Sequence, residues 1–167
     1  MLADEIKGCN GKRAEEYARQ LREELLGAVR ENGGHLSSNL GVMELTVALY
    51  SVFDFPKDKL IFDVGHQSSA HKLITGRTLD TLRKKGGVSG FPDPDESEYD
   101  AFIAGHSGTS VAAGLGMCAA RDLRGEDYKV ISFIGDASLG NGTALEAIFA
   151  TEKKPENFVV VLNDNGM

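Results

Sequence analysis

Two stretches in the first third of the chain have the residue pattern of helices. Along residues 11–31, apolar side chains such as Leu21 and Leu25 recur at helical spacing, while charged residues occupy the opposite face. Residues 41–53 are more uniformly apolar and predict a second helix. Both patterns indicate structure, and neither requires a function.

Further along, short apolar runs alternate with helical patterns. Strands are predicted over residues 60–64, 101–104, 128–134 and 158–162. Helices are predicted over residues 109–122 and 143–153. Continuous apolar strands that alternate with helices are typical of a parallel sheet covered on both faces. The chain therefore predicts an α/β fold with a doubly wound parallel sheet and helices on both faces.

Polar and glycine-rich clusters follow each predicted strand. In a parallel sheet the carboxyl ends of all strands meet at one edge, where ligands bind in the crevice. Residues that are scattered along the sequence are therefore expected to gather there. The topology predicts a binding site before any particular ligand is considered.

Composition narrows the classes of function. The chain has 167 residues, 41% of them hydrophobic, which is enough for one domain with a core. Its net charge of −7 argues against nucleic acid or an anionic membrane as a partner. No apolar run reaches the roughly 18 residues that span a bilayer, and the N-terminus does not resemble a secretory signal, so we expect a cytoplasmic location. Cys9 and Cys118 are too far apart to indicate a disulfide scaffold or a zinc ribbon.

Glycine, at 20 of 167 residues, is concentrated after the predicted strands. The strongest cluster is residues 135–142, between a strand and a helix. Glycine lets backbone approach a ligand closely, and the start of a helix offers free N–H groups, so this cluster predicts a diphosphate-binding loop. The carboxylate of Asp136 would repel a diphosphate unless a cation lay between them. Asp136 is therefore predicted to bind Mg²⁺, which prefers hard oxygen ligands.

The next strand ends in Asn163-Asp164-Asn165, which a β-loop-α-β crossover brings beside Asp136. Asn165 offers a neutral side-chain oxygen, and the backbone carbonyl of Met167 is a further candidate ligand. The alternative is that Asp and Asn at strand ends are ordinary turn residues.

All four histidines, His35, His66, His71 and His106, lie in contexts rich in Gly and Ser. Imidazoles there can donate hydrogen bonds to phosphate oxygens or transfer protons. Zinc is a competing explanation, but no His-x₃-His spacing or pair of cysteines supports it. His71 is equally compatible with simple packing. Capping of the helix over residues 41–53 alone would account for Ser37-Ser38-Asn39, and residues 105–110 combine a helix cap with a candidate phosphate contact.

The arrangement from Gly135-Asp136-Ala137 to Asn163-Asp164-Asn165 resembles the thiamin-diphosphate motif, which opens with Gly-Asp-Gly and closes with Asn. Nearly the whole chain is similar to the 1-deoxy-D-xylulose-5-phosphate synthases. The similar segments are residues 40–49, 63–67, 71–72, 75–77, 86–87, 91–92, 96–100 and 105–107. Gly65-His66-Gln67 separates this family from ordinary transketolases.

The resemblance implies roles for individual residues. Asp136 and Asn165, with the Met167 carbonyl, would bind Mg²⁺. His35 would lie near the reacting carbon as a candidate for proton transfer. The residues in contact with thiamin diphosphate would be His66, Gly105, His106, Ser107, Ala137, Ser138 and Asn165. Ala137 departs from the motif, which has glycine at that position.

The resemblance also implies a transferase that joins pyruvate, after loss of CO₂, to glyceraldehyde 3-phosphate. Residues 1–167 would form the diphosphate-binding domain, C-terminally incomplete, without the pyrimidine-binding and third domains of the family. We therefore expect the isolated chain to be inactive, and to form a homo-oligomer or to pair with a C-terminal partner chain. Two alternatives are the N-terminal subunit of a split transketolase-type enzyme and a non-catalytic remnant that binds cofactor or regulates.

Overall fold

The computed structural model describes residues 1–150 and 155–166. The chain divides into two compact units. The helical unit consists of Met1–Asp54 with His66–Phe91, and the sheet unit consists of Phe55–Gly65 with Pro92–Met167.

The helical unit contains five helices. They are α1 Leu2–Ile6, α2 Gly11–Asn32, α3 Leu36–Leu40, α4 Met43–Val52 and α5 Ser69–Ile74. The helices predicted over residues 11–31 and 41–53 are confirmed as α2 and α4, with ends that differ by one or two residues. The three short helices were not predicted, because five or six residues give too little periodicity to recognise.

Helix α2 buries one face, and a capping residue lies at each of its ends. Tyr17, Leu21 and Leu25 are buried along that face. The side chain of Asn10 accepts a hydrogen bond from the backbone N–H of Arg13 at 3.1 Å and so caps the helix. At the other end Gly33 has φ 72°, a conformation that glycine adopts without strain.

The described residues of the sheet unit form three parallel strands in the order β1-β2-β3. The strands are β1 Lys59–Phe62, β2 Val130–Gly135 and β3 Phe158–Asn163. The helices of this unit are α6 Ser110–Arg124, α7 Asp136–Leu139 and α8 Gly142–Phe149. The first five residues of β2 are buried, as expected for the central strand of a parallel sheet.

Helix α6 packs closely on this sheet. Val111, Gly114 and Cys118 are buried on its inner face. Arg121 is 2% exposed and donates hydrogen bonds to the backbone carbonyls of Tyr128 at 3.0 Å and Glu156 at 2.7 Å. Its guanidinium thus joins the end of α6 to the segments that lead into β2 and β3.

The prediction of a strand over residues 101–104 is wrong, because these residues form no strand in the structure. Phe102 packs by its side chain against the buried cluster of Ile61, Cys118 and Val130. Ile103 is 59% exposed, so the run is not buried on two faces as an inner strand would be. A short apolar run does not distinguish packing by side chains from pairing by backbone. The helix predicted over residues 143–153 corresponds to α8, and residues 151–153 lie outside the described residues.

Strand β3 and helix α8 of the sheet unit expose apolar side chains. In the part of the chain that the structure describes, β3 pairs only with β2. Val159, Val160 and Leu162 on β3 are 37%, 40% and 47% exposed. On α8 the exposed apolar side chains are Leu145, Ile148 and Phe149. None of the described helices is both long enough and apolar enough to cross a bilayer.

Candidate cofactor-binding site

The register of β2 and β3 brings Asp136 and the Asn163-Asp164-Asn165 segment to the same edge of the sheet. Gly135, the last residue of β2, pairs with Asn163, the last residue of β3. Asp136 follows Gly135 as the first residue of α7. The predicted proximity of these two segments is therefore confirmed.

The residues around Asp136 are accessible from solvent. Asp136 and Ser138 are half-buried, and Ala137 is exposed. On the neighbouring strand end, Asn165 is exposed, and the carboxylate of Asp164 accepts a hydrogen bond from the backbone N–H of Gly166 at 3.1 Å. Met167 lies outside the described residues.

The segment before α6 presents three candidate cofactor contacts, Gly105, His106 and Ser107, and all three are exposed. Gly108, which follows them, is buried and has φ 85°. A Cβ added to Gly108 would lie 2.7 Å from the Cβ and Cγ atoms of Asn141. Only glycine fits at this position, because the loop before α6 passes directly over the side chain that caps α8.

Asp63, to which the sequence assigned no role, holds this segment in place. It follows β1, is 1% exposed, and accepts hydrogen bonds from the backbone N–H groups of Gly108 at 2.9 Å and Ser110 at 3.0 Å. The signal in the sequence was a carboxylate directly after an apolar strand, a place where a buried charge needs hydrogen-bond donors.

Within the helical unit, two of the candidate histidines lie next to each other. The ring centroids of His35 and His66 are 5.3 Å apart in an edge-to-face arrangement. The ring of Phe91 lies 6.4 Å from that of His35. His35 is exposed and precedes the first residue of α3, so its imidazole is accessible.

Asn39 connects the backbone segments that carry these two histidines. It is 2% exposed and donates hydrogen bonds to the carbonyls of His35 at 2.6 Å and His66 at 2.9 Å. Its side-chain oxygen accepts from the backbone N–H of Ser69 at 2.8 Å. The expectation that Ser37-Ser38-Asn39 caps α4 is wrong, because Val42 is the N-cap residue of α4 and Asn39 lies inside α3.

His71 is a structural residue. It is 1% exposed, and its Nδ1 atom lies 2.7 Å from the hydroxyl oxygen of Tyr50. Of the two interpretations that the sequence left open, packing is therefore the one that the structure supports. Among residues 1–150 and 155–166, no group of three or more His, Cys, Asp or Glu side chains is placed to hold a metal ion.

Comparison with known proteins gives a consistent set of relatives. A family model described as 1-deoxy-D-xylulose-5-phosphate synthase matches residues 2–167. The 1-deoxy-D-xylulose-5-phosphate synthase of Dehalococcoides mccartyi is 58% identical over 154 residues, which cover 91% of this chain and 24% of the relative. The enzyme of the same name from a Synechocystis species is 53% identical over 167 residues, covering 98% of this chain and 26% of the relative. The chain thus spans about a quarter of the length of the curated relatives it matches.

Solved structures show the same fold at lower identity. Transketolase from Campylobacter jejuni matches with a TM-score of 0.82 and 23% identity, over 95% of this chain and 29% of that chain. Transketolase from Leishmania mexicana matches with a TM-score of 0.80 and 19% identity, over 91% of this chain and 27% of that chain. The likeness confirms the predicted α/β class with a doubly wound parallel sheet.

Proposed function

The chain belongs to the 1-deoxy-D-xylulose-5-phosphate synthase family, and from that premise we propose that it supplies the diphosphate- and Mg²⁺-binding part of such a transferase. The observation that carries the proposal is the pairing of Gly135 with Asn163. This register sets a carboxylate and an amide at the carboxyl edge of adjacent parallel strands, where α/β proteins bind ligands.

The donor set at this edge fits Mg²⁺. Asp136 offers carboxylate oxygens and Asn165 an amide oxygen, and both are hard ligands of the kind that Mg²⁺ prefers. The proposed third ligand is the backbone carbonyl of Met167. A site of this kind uses one carboxylate together with oxygens of the cofactor diphosphate, so it does not depend on a cluster of acidic residues.

The proposed diphosphate contacts come from two accessible segments. Gly105, His106 and Ser107 are exposed in the loop before α6, and Ala137 and Ser138 lie in α7. Ala137 is compatible with this role although the motif has glycine there, because its methyl group is exposed on a helical backbone that accepts any L-residue.

His35 and His66 are proposed to act on the reacting end of thiamin diphosphate, His66 as a contact residue and His35 in proton transfer. When bound, the cofactor would supply the carbanion chemistry that the side chains lack. Imidazoles serve as general acids or bases in proteins, and His35 is exposed and therefore accessible for that role. Asn39 holds the backbone at both histidines and so restricts their movement.

The substrates that we propose are pyruvate and glyceraldehyde 3-phosphate, and their only support is membership of the family. We further propose that the chain is inactive alone and works as a homo-oligomer or with a partner chain that carries the pyrimidine-binding domain. A cytoplasmic location stays a prediction.

The Mg²⁺ assignment is tested by replacing Asp136 with Asn. We expect Asp136→Asn to lower the affinity for thiamin diphosphate in the presence of Mg²⁺ by about tenfold or more, equivalent to about 1.4 kcal/mol. The physical reason is that an amide cannot neutralise the cation as a carboxylate does. Isothermal titration calorimetry with and without Mg²⁺ gives the measurement, and in Asp136→Asn the dependence on Mg²⁺ should largely disappear.

Asp164→Asn is the matched control, because Asp164 is a neighbouring exposed carboxylate to which no ligand role is assigned. The affinity of Asp164→Asn for thiamin diphosphate in the presence of Mg²⁺ should stay close to that of the parent. Equal affinities for Asp136→Asn and the parent, or equal losses in the two variants, would show that Asp136 is not the metal ligand.

A further inference from the structure

Asp63 is a buried carboxylate placed where two segments of the sheet unit meet. It follows β1 directly, and its side chain is almost completely removed from solvent. A buried carboxylate is costly unless hydrogen bonds stabilise it. Here each of its two oxygens accepts one backbone N–H, from Gly108 and from Ser110.

The bond from Ser110 takes the place of a side-chain cap at the start of α6. Thr109 is the N-cap residue of α6, and its side chain makes no capping hydrogen bond. The N–H groups at the start of a helix need acceptors, and a negative charge there is favourable. Asp63, from a distant part of the chain, supplies a hydrogen-bond acceptor and a negative charge at this helix start. It thereby fixes the path of the backbone that enters α6.

The same bonds determine where Gly108 lies. Gly108 is held by Asp63 on one side and lies against the side chain of Asn141 on the other, with no space for a Cβ. Asn141 in turn caps α8 by accepting from the backbone N–H of Thr143 at 3.0 Å. Asp63, Gly108 and Asn141 therefore join the end of β1, the loop before α6 and the start of α8.

The backbone beside Asp63 is strained. Val64, the next residue, has φ 59°, which is rare for a β-branched side chain. Such a conformation persists only where the surrounding structure determines it. The backbone N–H of Gly65 donates a hydrogen bond to the carbonyl of Asp63 at 2.6 Å and closes a tight turn around Val64.

We propose that Asp63 is a positioning residue for the cofactor: its carboxylate fixes the loop that carries Gly105, His106 and Ser107 against the cap of α8. The proposal rests on the proposed function for its ligand, thiamin diphosphate with Mg²⁺. Asp63 binds backbone N–H groups of the loop, and it acts on the cofactor through that loop.

Asp58 provides a matched comparison on the same strand. It is 3% exposed, precedes β1, and accepts a hydrogen bond from the backbone N–H of Lys129 at 2.8 Å. Asp58 and Asp63 are thus two buried carboxylates that bind backbone at opposite ends of β1. Asp58→Asn should therefore lower stability in a similar way and leave the carboxyl edge of the sheet unchanged.

The test compares Asp63→Asn with Asp58→Asn in two measurements. The first is amide hydrogen exchange followed by NMR, in which Asp63→Asn should speed exchange at Gly108 and Ser110 about tenfold or more relative to β2. The second is titration calorimetry with thiamin diphosphate and Mg²⁺, in which Asp63→Asn should bind about tenfold more weakly. Asp58→Asn should change neither the amide exchange rates of the 105–110 segment nor the affinity for thiamin diphosphate.

Asn141→Gly tests the same contact from the other side and keeps the test possible if Asp63→Asn does not fold. Glycine at an N-cap costs a helix little, so the variant should unfold close to the parent midpoint. Removing the side chain beside Gly108 should still loosen the 105–110 segment and weaken cofactor binding about threefold.

Parent-level exchange at Gly108 and Ser110 in Asp63→Asn would overturn the proposal, and so would equal affinities in Asp63→Asn and Asp58→Asn. If Asp63→Asn does not fold, parent-level exchange in Asn141→Gly overturns it. If the parent gives no binding heat, the cofactor assignment is what fails, and the exchange rates alone decide whether Asp63 holds the loop.

Discussion

Two glycines of α6 have very different surroundings. A Cβ on Gly114 would lie 2.5 Å from the hydroxyl oxygen of Ser132 and 2.7 Å from a ring carbon of Phe158. A Cβ on Gly116 would meet nothing within 4 Å. Gly114 therefore lets α6 approach β2 and β3 closely, whereas Gly116 has no steric reason to be glycine.

This difference predicts opposite effects of the same substitution. Gly114→Ala should lower the free energy of unfolding by about 1–3 kcal/mol, because the added methyl group overpacks the core. Gly116→Ala should raise it by about 0.5–1 kcal/mol, because alanine is the better helix former. Urea unfolding followed by circular dichroism measures both, and equal stability of the two variants would contradict the close packing of α6.

At the residue scale, the sequence predicted the residues whose signal is local. Asp136 and Asn165 were singled out because each belongs to a cluster directly after an apolar strand, and the structure brings the two clusters together. Asp63 and Asn39 were missed as positioning residues because they bind backbone groups that are mostly distant in sequence. The N–H groups bound by Asp63 lie 45 and 47 residues away, and those partners have no side-chain identity to recognise.

At the element scale, long or strongly apolar elements were predictable and short ones were not. The strands beginning at Lys59, Val130 and Phe158 were all found, because each is a continuous apolar run bounded by turns. The run at residues 101–104 is also short and apolar, and only the structure shows that Phe102 packs by its side chain without a paired strand.

Helices α2 and α4 are joined by an ion pair that gives an element-scale prediction. The guanidinium of Arg22 hydrogen-bonds the carboxylate of Glu44 and lowers the pKa of Glu44. Because the folded pKa is below the unfolded one, the stabilisation is present above the unfolded pKa and is lost as pH falls through the folded pKa. Glu44→Gln should therefore cost stability at pH 7, by less than about 1 kcal/mol for so exposed a pair, and cost little at pH 3.

Urea midpoints at pH 7 and pH 3 give this measurement, and Glu24→Gln, at an exposed position of α2, is the control. The change in stability caused by Glu24→Gln should not depend on pH in the same way. If Glu44→Gln lost the same amount of stability at both pH values, the ion pair would not contribute to the stability of the fold.

At the scale of the whole molecule, the exposed apolar side chains of β3 and α8 predict self-association. Among the described residues β3 pairs only with β2, and an unpaired strand edge beside exposed apolar side chains favours association. Phe149, at 80% exposed, is the most exposed of these apolar side chains. We expect the chain to form concentration-dependent oligomers, and Phe149→Lys to shift them toward monomer by adding charge to this surface.

Light scattering after gel filtration measures the shift. Leu123→Lys is the control, since Leu123 is 89% exposed on α6 and belongs to neither β3 nor α8. A parent that stays monomeric at all concentrations, or an equal shift in both variants, would count against this surface as the site of association.

The strand order also determines the sequence of events in folding. Strands β2 and β3 pair across residues 136–157, whereas β1 and β2 pair across residues 63–129, a loop about three times longer. Closing the longer loop costs about 1 kcal/mol more in chain entropy, so β2 and β3 are expected to pair first. During synthesis β1 leaves the ribosome long before its partner strand, so Leu60, Ile61 and Phe62 cannot pair with β2 until residues 130–135 follow. Translation rate and the supply of chaperones should therefore influence the yield of native protein.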